Sequence, residues 1–152
     1  MKVLMVCLGN ICRSPLAEGI LKSKVDTTKI LVESAGTAGY HIGKAPDPRS
    51  IKVAKEHGID ISSQVCRKFT VSDFDSFDII YAMDKSNYGN IIDLARNKAD
   101  AQKVKLILNE ISSSDEEVPD PYYDAEDGFE HVFQMIDQAC HSIAARLESK
   151  KP

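Results

Sequence analysis

The first reactive side chains of this sequence lie close to its amino terminus, where an apolar run gives way to a polar loop. Cys7 ends that run, and Arg13 and Ser14 follow after five intervening residues. If residues 3–6 form a buried strand and Ser14 opens a helix, residues 8–13 must turn sharply and point their backbone N–H groups inward. Such donors at a helix N-terminus bind tetrahedral oxyanions, and Arg13 can bind two phosphate oxygens at once. The pattern predicts a Cys7 thiolate beneath a bound phosphate.

The residue types inside this loop suit the predicted geometry. Gly9 and Asn10 tolerate the positive φ that an inward-curled loop requires. Ligands of parallel α/β sheets bind at the carboxyl ends of strands, and Cys7 falls at such an end. Besides Cys7 and Arg13, the residues that we expect to surround the phosphate are Leu8, Gly9, Asn10, Ile11, Cys12 and Ser14.

The same segment resembles a known family. Residues 6–15 read Val-Cys-Leu-Gly-Asn-Ile-Cys-Arg-Ser-Pro, which is similar to the phosphate-binding loop of the low-molecular-weight protein tyrosine phosphatases. Later segments are similar to the family in the same order, namely residues 34–37, 46–49, 83–84 and 120–123. The resemblance covers nearly the whole chain. It implies hydrolysis of phosphotyrosine and small aryl phosphates through a cysteinyl-phosphate intermediate on Cys7.

Asp120 is the candidate general acid. It lies in Val-Pro-Asp-Pro-Tyr-Tyr, which matches the family's general-acid motif, and its flanking prolines stiffen the loop. One carboxyl group can protonate the leaving oxygen and then activate water. The alternative for Asp120 alone is an ordinary Asp-Pro turn. Tyr122 and Tyr123 are expected to wall the pocket, with surface packing as the alternative, and Tyr40 corresponds to a variable specificity position that is usually aromatic in the family.

Ser14, Ser34 and His57 are expected to support the loop. Ser14 can donate its hydroxyl to the Cys7 sulfur, although it could also serve only as a helix N-cap. By resemblance, Asn10 holds a strained backbone conformation through side-chain bonds that include Ser34. The sequence retains His57 but has Ser63 where mammalian members carry a second histidine. This difference predicts that fewer side-chain hydrogen bonds support Asn10.

The remaining cysteines and histidines leave alternatives open. Cys12 could form a reversible disulfide with Cys7 on oxidation, because a curled loop can bring residues five apart together; otherwise it is a small buried residue. Cys66 and Cys140 are expected to be bystanders. The three other histidines are expected to be ordinary packed or solvated residues, namely His41, His131 and His141. They form no metal-ligand pattern, and we expect neither a metal nor an organic cofactor.

The order of elements predicts a single α/β domain over residues 1–152, with a doubly wound, four-stranded parallel sheet and helices on both faces. The predicted strands are residues 2–7, 30–33, 77–83 and 104–108. The predicted helices run from 14 to about 25, from 49 to 57, from 84 to about 96, and along an apolar stripe at 129–147. Residues 34–48 are expected to form a long loop, 59–75 a surface stretch, and 112–127 an acidic, helix-poor segment.

Composition narrows the function further. The chain has a net charge of −4, which gives a nucleic-acid partner no electrostatic support. Its 43% hydrophobic content and 28% charged content are ordinary for a globular domain. No apolar run is long enough for a signal peptide or a membrane span. Four cysteines without paired spacings favour a reducing, cytoplasmic location, and the protein is expected to be a monomer or weakly associating.

Two other functions compete with phosphatase activity. A related group of arsenate reductases shares this fold and a similar oxyanion loop, but its chemistry needs cysteines after the third strand, and residues 81–96 contain none. A phosphotyrosine-binding module without turnover is the second alternative. Its binding would not require Cys7, Arg13 and Asp120 together, so phosphatase activity is preferred.

Overall fold

The computed structural model describes residues 1–111, 115–122 and 126–149. Four parallel strands form one sheet in the order β2-β1-β3-β4. The strands are β1 (Lys2–Cys7), β2 (Leu31–Gly36), β3 (Ile79–Ala82) and β4 (Val104–Leu106). The helices are α1 (Arg13–Lys24), α2 (Pro48–Glu56), α3 (Asp73–Ser76), α4 (Lys85–Ile92), α5 (Lys98–Gln102) and α6 (Glu126–Ser149), with a 3-10 turn at Ile107–Glu110.

Both faces of the sheet are covered, which confirms the predicted fold class. Alternate residues of β1 enter two separate apolar clusters, because successive side chains of a strand point to opposite faces. Val3 and Met5 pack with α1, α2 and α6 on one face. Leu4 and Val6 pack on the other face with Phe74 of α3 and with Ile91 of α4. This double burial explains why β1 is a continuous apolar run rather than an alternating one.

The strand order places the switch point of the topology between β1 and β3. The chain moves from β1 to β2 on one side and then returns to β3 on the other, so the loops after β1 and β3 diverge and leave a crevice. Cys7 ends β1, and Asp84 follows β3 closely. The fold therefore brings two distant parts of the sequence to one edge of the sheet.

Several predicted boundaries were wrong. The second strand continues through Gly36, into what was expected to be a loop, because residues 34–36 still pair with the end of β1, up to Cys7. Gly36 also forms an isolated bridge with Lys68, and its N–H donates to the Arg67 carbonyl (2.9 Å). A Cβ on Gly36 would lie 2.8 Å from the Leu8 carbonyl oxygen, so this strand end must be glycine to lie against the loop after β1. The predicted surface stretch at 59–75 thus contributes a bridge to the sheet.

The other differences concern the second half of the chain. The helix predicted from 84 to about 96 ends at Ile92, and α5 follows as a separate short helix capped by Asn97, whose side chain accepts from the Asp100 N–H (2.9 Å). The third strand is shorter than predicted at both ends, and β4 ends at Leu106 where the 3-10 turn begins. Of the helices in the described ranges, none is both long and apolar enough to span a bilayer.

Candidate active site

The loop between β1 and α1 has the geometry that its residue types predict. Cys7 lies at the end of β1 and is buried, and α1 begins at Arg13. Asn10 has a positive φ of 58°, the only such non-glycine residue in the described part of the chain. In the described residues no side chain caps the N-terminus of α1, which leaves its first N–H groups available to an anion. This arrangement at the end of β1 could bind an oxyanion beside the Cys7 thiol.

Ser14 lies against the candidate nucleophile. Its Oγ is 3.0 Å from the Cys7 Sγ and accepts a hydrogen bond from Asn10 Nδ2 at 2.8 Å. The Ala35 carbonyl is a more distant acceptor, at 3.4 Å. The hydroxyl has one hydrogen to donate, and a negatively charged sulfur would attract it more strongly than the distant carbonyl does. Ser14 is thus oriented to stabilise a thiolate.

Asn10 is held in its unusual conformation by bonds on both sides of its amide. Nδ2 also donates to Ser34 Oγ (3.0 Å), and Oδ1 accepts from the Arg67 N–H (3.0 Å). Ser34 in turn donates to Glu18 Oε1 at 2.6 Å. Asn10, Ser34 and Glu18 are all buried. The bond from Asn10 to Ser34 agrees with the expectation from the sequence, whereas the bond to Ser14 and the contact with Glu18 were not foreseen.

The expected support from His57 is not seen. His57 Nε2 lies 2.9 Å from Glu130 Oε1, and its ring stacks on Phe133 with 4.0 Å between centroids. These contacts join α2 to α6, away from Asn10. Ser63 is an exposed turn residue. The donor to Asn10 Oδ1 instead comes from the Arg67 main chain, which no side-chain motif could reveal.

Arg13 is fixed at the back of the site. Its Nη1 contacts Asp84 Oδ2 at 2.6 Å and donates to the Val118 carbonyl at 2.9 Å, while Nη2 lies 3.7 Å from Asp120 Oδ2. Burial alone would lower the pKa of the guanidinium, but Cys7 and Asp84 outweigh that effect and hold this pKa above its usual range. Arg13 is therefore a permanent cation with a fixed orientation. The motif search did not identify Asp84 as a site residue, although its position after β3 could have suggested it.

A cavity of about 280 Å³ opens above the loop. Asp120 lines this cavity with its side chain 43% exposed, and its Oδ1 accepts a hydrogen bond from the Tyr122 N–H at 3.0 Å. Tyr40 and Tyr122 line the cavity, and so does His41, which was not among the expected site residues. The remaining lining residues are Cys7, Leu8, Gly9, Ile11, Cys12 and Arg13. Tyr123 lies outside the described residues.

All four cysteines are reduced and buried. Burial is the main factor that raises the pKa of Cys12, with Asp47 adding to it, so this thiol stays protonated although it lines the cavity with Cys7. Burial likewise raises the pKa of Cys66 to about 11, and its Sγ donates to the Asn10 carbonyl at 2.8 Å. Cys140 lies in the core. Of the residues described, no group of three or more histidine, cysteine, aspartate or glutamate side chains could hold a metal ion.

Known proteins resemble this chain over nearly its full length. The family model described as low molecular weight phosphotyrosine protein phosphatase matches residues 2–152. A relative of that name from Schizosaccharomyces pombe is 41% identical and covers 90% of each chain, and one from Homo sapiens is 40% identical and covers 93% of this chain and 92% of its own. A protein tyrosine phosphatase structure from Entamoeba histolytica superposes with a TM-score of 0.93 at 40% identity, covering 100% of this chain and 99% of that one.

Proposed function

The chain belongs to the low molecular weight phosphotyrosine protein phosphatase family and is a protein-tyrosine phosphatase, and we propose that Cys7, Arg13 and Asp120 carry its reaction. The observation that supports this assignment most strongly is that Asp120, from a distant part of the chain, meets Cys7 and Arg13 of the loop after β1 at one cavity. A thiol, a fixed guanidinium and a carboxyl group are the three groups that phosphoryl transfer to sulfur requires.

In the first step, the Cys7 thiolate attacks phosphorus and the bond from phosphorus to the phenolic oxygen breaks. Asp120 donates its proton to that oxygen, so that the product leaves as a neutral phenol. Arg13 and the loop N–H groups stabilise the negative charge on the equatorial phosphate oxygens. The contact between Arg13 and Asp84 supports this role, because it fixes the cation before substrate arrives.

In the second step, the Asp120 carboxylate accepts a proton from water, and that water attacks phosphorus. The bond from phosphorus to sulfur breaks and returns Cys7 as the thiolate. Ser14 Oγ, 3.0 Å from the sulfur, donates a hydrogen bond to the charge that develops there. One carboxyl group thus serves as acid and then as base, and the chemistry calls for no metal or organic cofactor.

The substrates that fit this site are phosphotyrosine in proteins and small aryl phosphates. Tyr40 and Tyr122 offer aromatic faces at the opening, against which a phosphorylated ring can stack, and Tyr123 is proposed to share that role. Inorganic phosphate and other oxyanions should compete for the same loop. We further propose a cytoplasmic location, because a thiolate nucleophile needs a reducing environment.

The test is release of phosphate from a phosphotyrosine peptide by purified, reduced protein treated with a metal chelator. Wild type should release phosphate and Cys7→Ser should release none. Arsenate-dependent oxidation of thioredoxin, measured in parallel, examines the reductase alternative. Absence of phosphate release would refute the assignment of the three residues; arsenate turnover would then indicate a reductase, and inactivity in both assays a binding module.

A further inference from the structure

Arg49, in the first turn of α2, connects two loops of the active site without entering the cavity. It forms a two-point ion pair with Asp47: Nε lies 3.1 Å from Oδ1, and Nη2 lies 3.0 Å from Oδ2. Asp47 is buried, and although burial alone would raise the pKa of its carboxyl group, the hydrogen bonds from Arg49 lower it. The pair therefore stays ionised, and the guanidinium is fixed in one orientation.

The same guanidinium holds the loop that carries the general acid. Arg49 Nη2 donates to the Tyr122 carbonyl oxygen at 2.8 Å. The Tyr122 N–H, on the other side of that residue, donates to Asp120 Oδ1 at 3.0 Å. Arg49 also lies over the ring of Tyr122 at 5.6 Å and over that of Phe129, in α6, at 4.6 Å. Arg49 thus contacts both the carbonyl and the ring of Tyr122, and Tyr122 in turn contacts the Asp120 carboxyl group.

The other end of this connection is attached to the phosphate loop. The Asp47 N–H donates to the Ile11 carbonyl at 2.8 Å, and Ser50 Oγ donates to the Cys12 carbonyl at 3.3 Å. The start of α2 is thus bonded to the main chain of the loop that would bind the phosphate. These bonds link the loop that would hold the phosphate to the loop that carries Asp120, and the spacing of the two loops decides whether Asp120 comes within hydrogen-bond reach of the leaving oxygen.

We propose that Arg49 is a positioning residue for the general acid: through Asp47 and the main chain of Tyr122, it fixes the Asp120 carboxyl group above the phosphate loop. This inference rests on the proposed role of Asp120 and adds to it a residue that need not touch substrate. Arg49 is not among the described residues that line the cavity. Its contribution therefore depends on how much the reaction needs a proton from Asp120.

Leaving groups of different basicity separate this role from a general structural one. A phosphate ester of an acidic phenol, such as 4-nitrophenyl phosphate, expels its phenolate with little help from an acid. Phenyl phosphate has a more basic leaving group and depends on protonation. The value of kcat/KM reports the steps up to loss of the phenol, so it isolates the step in which Asp120 donates. Damage to folding or to phosphate binding would lower kcat/KM for both substrates alike.

The experiment measures kcat/KM for both substrates with wild type, Arg49→Ala, Arg49→Lys, Asp47→Asn and Asp120→Ala. A misplacement of the acid by about 1 Å should lower kcat/KM for phenyl phosphate by about tenfold to a hundredfold in Arg49→Ala, with a much smaller loss for 4-nitrophenyl phosphate. Arg49→Lys and Asp47→Asn should also lower kcat/KM more for phenyl phosphate than for 4-nitrophenyl phosphate, but by smaller factors. Lysine keeps the positive charge but cannot form the two-point pair. Asparagine weakens the pair but keeps the N-cap of α2. These two milder variants serve if Arg49→Ala does not fold.

Arg96→Ala is the matched control. Arg96 also pairs with carboxylates, those of Asp75 and Asp100, but it lies outside the described residues that line the cavity, so its loss should not alter the ratio between the two substrates. Suppose that Asp120→Ala shows the selectivity. Equal losses of kcat/KM for both substrates in the variants at 49 and 47, or no loss at all, would then overturn the role of Arg49. If Asp120→Ala itself showed none, the proposed general acid would fail and the inference with it.

Discussion

The conformation of Asn10 offers a quantitative test of how this phosphate loop is stabilised. Two substitutions separate its backbone contribution from that of its side chain. Asn10→Gly keeps a residue that readily adopts a φ of 58° but loses the hydrogen bonds to Ser14, Ser34 and Arg67. Asn10→Ala loses the same bonds and also forces a Cβ into the left-handed region. Comparison of the two variants isolates the cost of the positive φ.

The expected magnitudes follow from these contacts. Three buried hydrogen bonds, each worth about 0.5–1.5 kcal/mol, give a loss of about 2–4 kcal/mol in the free energy of unfolding for Asn10→Gly. Alanine in the left-handed region costs about 1–2 kcal/mol, part of which is offset because glycine makes the unfolded chain more flexible. Asn10→Ala should therefore be less stable than Asn10→Gly by about 1 kcal/mol.

Urea unfolding of the two variants and wild type measures these differences, and inhibition by inorganic phosphate reports the loop directly. Both variants should bind phosphate more weakly than wild type, because the loop N–H groups lose their fixed orientation. Ser34→Ala removes one of the three bonds together with the bond from Ser34 to Glu18, so it bounds the contribution of the Asn10–Ser34 bond from above. Equal stability of the alanine and glycine variants would refute the argument from φ. Wild-type stability in both would show that the side-chain bonds contribute nothing.

Three further predictions concern groups around this loop. Asp120→Ala should lower the rate of the chemical step by about 10²- to 10⁴-fold in single-turnover assays with phenyl phosphate, and an unchanged rate would remove Asp120 from the mechanism. Hydrogen bonds from Arg49 lower the pKa of the Asp47 carboxyl group. The ionised carboxylate therefore stabilises the fold fully above its unfolded pKa of about 4, and this stabilisation is lost as pH falls through the lower pKa of the folded state. In unfolding experiments at acidic pH, the difference in free energy of unfolding between wild type and Asp47→Asn should narrow. Peroxide should inactivate the enzyme by crosslinking Cys7 to Cys12, and treatment with a thiol should restore the activity of wild type but not that of Cys12→Ser. Irreversible inactivation of wild type without a crosslink in peptide mapping would contradict this prediction.

The sequence predicted those parts of the site that depend on local patterns. The apolar run before Cys7 and the five-residue spacing to Arg13 identified the strand, the loop and the helix start, because these elements follow one another directly in the sequence. Asp120 was found through its motif. Contacts between distant parts of the chain were harder to predict: Asp84 approaches Arg13 only because β3 lies beside β1 in the sheet.

Other features were missed because main-chain groups create them. The extension of β2 through Gly36 comes from main-chain pairing with the end of β1, and part of the support of Asn10 comes from the Arg67 N–H. The hydrogen bonds in both cases are made by main-chain groups, so a side-chain motif does not reveal them. His57 was assigned to the Asn10 network by resemblance, whereas its contact with Glu130 depends on how α6 packs against α2.

The most direct test of the central claim is to locate the covalent intermediate. Wild-type protein is mixed with a phosphotyrosine peptide, quenched in acid within the first turnover, digested and analysed by mass spectrometry. We expect a phosphate group on the peptide that contains Cys7. This phosphopeptide should accumulate in Asp120→Ala when a substrate with an acidic leaving group is used, because hydrolysis then lacks its base. Turnover by Cys7→Ala, or phosphate found on any other residue, would rule out Cys7 as the nucleophile.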